Sequence, residues 1–142
     1  MTVLIDTNVI LDFLIKRVPY YENAAMINVL SEKGYLQSYV SASAVTDIYY
    51  IAKKELGTKD EAVRLLENLL KTIRVASVAE STIHEALNLK WNDFEDSVQY
   101  VAGQGISADY VITRNPDDFT GSQIKVISPE AFLSQMELLN RI

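Results

Sequence analysis

Short apolar runs alternate along the chain with segments of helical periodicity, and this alternation restricts the fold more than any other feature. Strands are predicted at residues 3–5, 35–40, 73–76, 108–113 and 124–127. They are short apolar runs rather than alternating patterns, which is typical of strands covered on both faces. We therefore predict an α/β fold, a three-layer α/β/α sandwich with a central, mostly parallel sheet.

The segments between the predicted strands carry the end signals of helices. Gly34 and Gly57 follow two of these segments, as residues that end helices often do. The residues assigned to helix starts are Ser43, Thr58 and Ser77, either Asn92 or Asp93, and Ser128 with Pro129 in the last helix.

Length and composition exclude several classes of protein. A chain of 142 residues suits one domain, predicted to span 1–142. The absence of cysteine excludes disulfides and thiol catalysis, and the single histidine, His84, excludes a histidine-rich metal site. His84 itself is expected on an exposed helix face. No apolar run approaches the ~20 residues of a membrane span, and no signal peptide is recognisable, so a cytoplasmic protein is expected.

The net charge of −6 argues against a protein that binds nucleic acid mainly through a basic surface. It leaves open an enzyme that contacts phosphates through metal ions.

Acidic and amide side chains follow the predicted strands. Asp6 ends the first strand, Asp47 lies near the start of the helix after the second, and Asp96 lies in the first turn of its helix. Asn115, together with Asp117 and Asp118, follows the strand at 108–113. Because ligands of open α/β sheets bind beyond the carboxyl ends of the strands, these groups are expected to converge.

Converging carboxylates need a proton or a cation between them. Two carboxylates ~4 Å apart repel each other by ~4 kcal/mol at an effective dielectric constant of 20. Hard oxygen ligands around an open site suit Mg²⁺ or Mn²⁺, and the chemistry indicated is metal-assisted attack of water on a phosphodiester. Taken singly, each acid also has a structural interpretation as a turn former or helix cap. Asp12 and Asp60 are interpreted in that way, as solvated helix residues or caps.

Three segments in order and spacing, LIDTNVILDF, DFEDSVQY and DYVITRNPDDF, resemble those of PIN-domain proteins. The resemblance covers essentially the whole chain, and within the family the chain looks like the small single-domain kind that includes VapC-like toxins of bacterial and archaeal toxin–antitoxin pairs. It implies a Mg²⁺- or Mn²⁺-dependent endoribonuclease with a quartet of acidic residues. By position, Asp6, Asp47 and Asp96 match the first three acids, the second of which is more often Glu in the family.

The resemblance also shows one departure. Asn115 falls where many members have Asp, and there it could orient a metal-bound water; Asp118 is the substitute candidate for a metal ligand. Thr7, Asn8 and Thr113 match polar residues that line the family's site. The partners implied are an RNA substrate cut to leave a 5′-phosphate, a small antitoxin and a second copy of the chain in a homodimer.

Two other functions stay open at this point. The Asn115 departure is compatible with a degenerate PIN module that binds a partner without catalysis. A phosphohydrolase or phospho-receiver also places an Asp after a first parallel strand, but Asp6 is followed by Thr-Asn and no D-x-D element is present. For the nuclease, we expect Asp6→Asn to abolish cleavage and to leave the fold intact or more stable, since it removes like-charge repulsion.

Overall fold

The computed structural model describes residues 1–138, and its elements follow the predicted alternation. The strands are β1 Thr2–Ile5, β2 Gln37–Ser41, β3 Arg74–Ala76, β4 Tyr110–Ile112 and β5 Lys125–Ile127. The helices are α1 Thr7–Leu14, α2 Tyr21–Glu32, α3 Ala42–Leu56, α4 Lys59–Leu69, α5 Glu80–Leu89, α6 Phe94–Gly105 and α7 Pro129–Leu138, with a 3₁₀ turn at Pro116–Asp118. The predicted single domain of 1–142 stays a prediction, and its last four residues lie outside the described part.

The five strands form one sheet in the order β3-β2-β1-β4-β5, and each neighbouring pair is parallel. Within residues 1–138 the sheet is therefore entirely parallel, where the sequence predicted a mostly parallel one. The chain winds outward from β1 through β2 to β3 and then returns to the other side of β1 to form β4. The strand order thus reverses between β1 and β4, which is the position where open α/β sheets form a ligand crevice.

Two apolar clusters cover the two faces of the sheet. Successive side chains of a strand point to opposite faces, so Val3 and Ile5 pack in one cluster and Leu4 in the other. The first cluster includes residues of α1, α2, α3, α4 and α7, and the second includes residues of α5 and α6. The predicted three-layer α/β/α architecture is confirmed.

The helix starts follow the predictions in part. Thr58 and Asp93 cap α4 and α6 with side-chain oxygens that accept from the main-chain N–H groups three residues later, at 3.2 and 3.0 Å. The predictions at Ser43 and Ser77 are wrong. α3 begins at Ala42, with Ser41 as its cap. The chain stays extended through Ala79, so α5 begins only at Glu80.

Asp12 is not a solvated helix residue, so that prediction is wrong. It is only 1% exposed, because it faces inward from α1, where Arg114, just after β4, reaches its carboxylate. Asp60, in contrast, is exposed in the first turn of α4, and His84 is exposed on α5, as expected. No helix of residues 1–138 is both long and apolar enough to cross a membrane.

Candidate active site

A cavity of about 260 Å³ opens at the carboxyl ends of β1 and β4, where the strand order reverses. We call it the acid cavity, because six of its lining residues are Asp or Glu. These are Asp6, Asp47, Asp93, Glu95, Asp96 and Asp118. Within the described part of the chain, no lysine or arginine lines it. The cavity therefore concentrates negative charge with no cationic side chain in its own wall.

The residues assigned from the sequence as catalytic groups or metal ligands all line this cavity. Asp6, Asp47, Asp96, Asn115 and Asp118 do so, together with the polar residues Thr7, Asn8 and Thr113. They come from five places in the chain: the β1–α1 junction, α3, α6, the end of β4 and the 3₁₀ turn. Asp117 instead lines a neighbouring cavity of about 500 Å³, which shares Asp93 and Asp118 with the acid cavity.

Asp6 is the most firmly held of the acids. Its Oδ1 accepts hydrogen bonds from the main-chain N–H of Thr7 at 2.8 Å and from Nε2 of Gln99 at 3.0 Å. Its Oδ2 accepts from the Thr113 hydroxyl at 2.8 Å. The residue is 7% exposed and caps the N-terminus of α1, where the helix dipole favours a negative charge. These contacts hold the carboxylate in one orientation.

The contacts of Asp6 change the expectation for its amide variant. An asparagine would replace the charged acceptor of three hydrogen bonds, and bonds to charged groups contribute ~1.5–3 kcal/mol each. That loss opposes the relief of repulsion between carboxylates, so Asp6→Asn is a poor probe of that repulsion. Asp96 is the better probe, because both burial and neighbouring acids disfavour its charged form.

Burial, together with neighbouring acids, raises the pKa of Asp96 to about 7. Desolvation is the largest cause, followed by the negative charges of Asp93, Asp6, Asp118 and Glu95 in that order. Near neutral pH, this carboxyl is therefore partly protonated unless a cation replaces the proton.

Glu95 is a member of the cavity wall that the sequence interpretation left without a role. Burial, and then the charge of Asp47, raises its pKa, while a hydrogen bond from the Thr7 hydroxyl at 3.3 Å acts in the opposite direction. Glu95 directly precedes Asp96 in the sequence, and Asp93 lies three residues before it. The available signal was their position at the start of α6, whose N-terminal turn faces the cavity.

Gln99 was also missed. It is 1% exposed and lies three residues after Asp96 on α6, which is the spacing that puts two side chains on one helix face. Its Nε2 donates to Asp6, while its Oε1 is buried with no hydrogen-bond partner among residues 1–138. The signal for Gln99 was this three-residue spacing.

The remaining predicted residues lie at the open side of the cavity. Asp47 is exposed in the second turn of α3, slightly later than predicted, and Asn115 and Asp118 are exposed after β4. The main-chain N–H of Asn115 donates to the Thr113 hydroxyl at 3.2 Å, which connects this segment to Asp6. The Asn115 carboxamide adds no charge.

The chemistry of the wall fits a hard divalent cation. Its donors are carboxylate, amide and hydroxyl oxygens, which suit Mg²⁺ or Mn²⁺. Burial and four neighbouring acids raise the pKa of Asp96, and a bound cation would relieve the repulsion among these acids. The acids are nevertheless spread out: within residues 1–138, no three Asp, Glu or His side chains stand close enough to form a ready-made metal-binding group. Binding would therefore draw side chains inward.

The fold and the site together define a class of protein: a parallel α/β domain with an acidic cavity at the reversal of its strand order. The sequence model of the PIN domain matches residues 2–117, and the chain belongs to the PIN-domain family. No curated protein sequence matches the chain significantly.

Solved structures of toxin–antitoxin proteins have the same fold. A chain of a toxin–antitoxin complex from Klebsiella pneumoniae is 19% identical, with a TM-score of 0.67 over 89% of this chain and 97% of that one. VapBC-1 of nontypeable Haemophilus influenzae is 16% identical, with a TM-score of 0.67 over 92% of this chain and 99% of that one. Mycobacterium tuberculosis VapC20, described as a Sarcin-Ricin loop cleaving toxin, is 12% identical, with a TM-score of 0.62 over 77% of this chain and 86% of that one. At these identities the likeness establishes a shared fold alone.

Proposed function

We propose that this chain is a Mg²⁺- or Mn²⁺-dependent endoribonuclease and the toxin of a toxin–antitoxin pair. The observation that carries the proposal is the acid cavity at the strand reversal of a PIN domain: among residues 1–138, six acidic side chains and no basic one line it. Such a wall repels RNA phosphates unless a cation intervenes. The description of the structurally similar VapC20 as a toxin that cleaves the Sarcin-Ricin loop supports RNA as the substrate class.

The roles proposed for the residues follow from their positions. Asp6, Asp47, Asp96 and Asp118 would hold the metal. The metal, when bound, would lower the pKa of a water molecule and stabilise charge on the phosphate oxygens. Asn115 orients the attacking water through its carboxamide, at the open side of the cavity where solvent enters. Gln99 and Thr113 keep the Asp6 carboxylate turned toward the cavity.

The proposed partners are an RNA substrate, a small antitoxin protein and a second copy of the chain. The antitoxin is supported by the structural neighbours, which include chains of toxin–antitoxin complexes. A homodimer and a cytoplasmic location complete the proposal.

Cleavage of defined RNAs with Mn²⁺ tests the catalytic function. We expect wild-type protein to produce discrete fragments with Mn²⁺ and none with a chelator. Asp96→Asn should lower the cleavage rate by ~100-fold or more, whereas the matched exposed variant Asp117→Asn should cleave at close to the wild-type rate. Equal cleavage by Asp96→Asn and wild type would contradict the proposed site.

A binding module without catalysis is the second candidate. Two observations favour it: Asn115 brings no charge, and both oxygens of Asp6 already accept hydrogen bonds from the protein. Calorimetric titration with Mn²⁺ near neutral pH separates the candidates, because the nuclease must bind the ion in the acid cavity. Absence of binding by the wild-type protein would favour the module.

A further inference from the structure

A buried carboxylate lies between two arginines close to the acid cavity but outside its wall. Oδ2 of Asp12 is 3.0 Å from Nε of Arg114, and Oδ1 is 3.8 Å from Nη1 of Arg17. We call Arg17 and Arg114 the arginine pair and Asp12 its anchor. One carboxylate balances one of the two guanidinium charges, so the group carries a net charge of +1.

One hydrogen bond and one position in the sequence place the arginine pair at the border of the acid cavity. Nη1 of Arg17 donates to Oδ1 of Asn8 at 3.4 Å, and Asn8 lines the cavity. Arg114 stands in the chain between Thr113 and Asn115, which both line it. The cations that the cavity wall lacks are therefore supplied directly beside it.

Arg114 is held in one orientation. Its Nε lies 3.0 Å from Oδ2 of Asp12 in an ion pair, and its Cζ lies 4.1 Å from the centre of the Tyr20 ring, a cation–π contact. Within the described residues, Nε makes no hydrogen bond, and these two contacts leave the terminal amino groups of the guanidinium for another ligand. The side chains of Arg114 and Arg17 are 24% and 31% exposed, so a ligand can reach both.

A further cavity opens on the Tyr20 side of Arg114. It has a volume of about 200 Å³ and is also lined by Asn23, Ser128 and Glu130. The segment 113–115 thus separates two cavities, one acidic and one bordered by a guanidinium. A strand of RNA that crosses this segment would run from one cavity to the other.

We propose that Arg17 and Arg114 bind a phosphate of the RNA substrate next to the phosphate at the acid cavity, and that Asp12 positions them. The inference rests on the proposed function. Guanidinium groups match phosphate oxygens through paired N–H donors, and fixing them beforehand reduces the entropy lost on binding. A structural ion pair needs only one arginine for one carboxylate, and the second arginine is explained by a ligand that is itself an anion.

RNA binding at several salt concentrations tests the inference. The parent is Asp96→Asn with Mn²⁺, used so that the RNA is not cut, and Arg17→Gln is added to it. Loss of one phosphate contact should weaken binding and flatten the plot of log K against log salt by ~0.7 for a single strand. Arg17→Lys, which keeps the charge, should retain most of the slope.

The matched control is Arg64→Gln in the same parent. Arg64 is an exposed residue of α4 paired with Glu61, so this variant makes the same change of charge away from the site. It should leave the slope unchanged. Arg114 is tested in the same way with Arg114→Gln, and because this side chain is more buried, urea unfolding of each variant reports whether the fold is intact. A purely structural role would change the unfolding free energy and leave the salt slope as it was.

The outcomes separate this inference from the proposed function. If the parent binds RNA and Arg17→Gln and Arg114→Gln bind with the same affinity and slope as the parent, the inference is overturned and the nuclease proposal stands. If the parent binds no RNA and wild type cleaves none with Mn²⁺, the proposed function fails and the inference fails with it.

Discussion

Replacing Asp96 by asparagine should stabilise the metal-free protein, and by more as the pH rises. Asparagine has nearly the shape of a protonated aspartate but cannot ionise. The pKa of Asp96 rises from 3.8 to about 7 on folding. Between these values the unfolded chain gives up the proton more readily than the folded protein does, so the wild-type free energy of unfolding falls as the pH increases. Asp96→Asn has no ionisable group at this position, so its free energy of unfolding lacks this decrease.

The magnitude follows from the same two pKa values. The difference between 3.8 and about 7, at ~1.4 kcal/mol for each pH unit, sets a ceiling of about 4 kcal/mol. Solvent reaches part of the Asp96 side chain, and screening reduces the expected gain to ~1–2 kcal/mol. The difference between variant and wild type should be near zero at pH 4, increase through pH 6 and level off above about pH 7.

Urea unfolding with a chelator at pH 4.5, 6 and 8 measures this difference, with the fluorescence of the single tryptophan, Trp91, as the signal. Asp117→Asn is the control, because Asp117 is exposed and outside the wall of the acid cavity. A variant that is no more stable than wild type at pH 8, or a difference that does not change with pH, would refute the account of crowded acids.

Mn²⁺ should reverse the order of stability. A ligand that binds only the folded state at 100 times its Kd adds ~2.7 kcal/mol. Wild type should gain more than Asp96→Asn at pH 8, because the variant lacks one proposed ligand. An equal gain in both proteins would show that Asp96 does not hold the ion.

Three further variants test the packing by urea unfolding. Phe132→Ala should cost ~3–5 kcal/mol, because the ring is 1% exposed and packs edge-on against Tyr110 at 5.5 Å; a cost below 1 kcal/mol would contradict this. Gly103→Ala should gain ~0.5–1 kcal/mol from helix propensity, since the added Cβ would lie 3.4 Å from Ile124, an ordinary contact; destabilisation would mean that the neighbour cannot accommodate it. Asp12→Ala should cost ~3 kcal/mol by removing the carboxylate beside the arginine pair, and a neutral result would contradict the burial argument.

Much of the fold could be predicted because its signals are local. Each strand is a short apolar run, and most of the helices begin or end at a residue suited to that position, such as Thr58 or Gly57. The failure at Ser77 has a local cause as well: a serine can cap a helix, but only the backbone decides whether the helix starts there. Here the chain stays extended for a few more residues.

The acid cavity was predictable for a topological reason. The carboxyl ends of parallel strands lie at one edge of the sheet, so Asp6 and Asn115 were expected at the same edge, and the pairing of β1 with β4 brings them to the same cavity. The residues that support or surround the acids were not assigned. Gln99 and Glu95 lie on the same helix as Asp96, and their roles depend on which of their neighbours face the cavity.

By itself, the sequence determined the alternation of strands and helices and the set of acids that follow the strands, because both depend on local periodicity and on the order of elements. Only the tertiary structure decided the burial of Asp12 and the hydrogen-bond partners of Asp6. Asp12 has the sequence context of an ordinary helix aspartate, and it is buried because Arg114 approaches it from a distant strand end. The energy of a charge depends on burial and on charges brought near it by folding, and no local pattern encodes these.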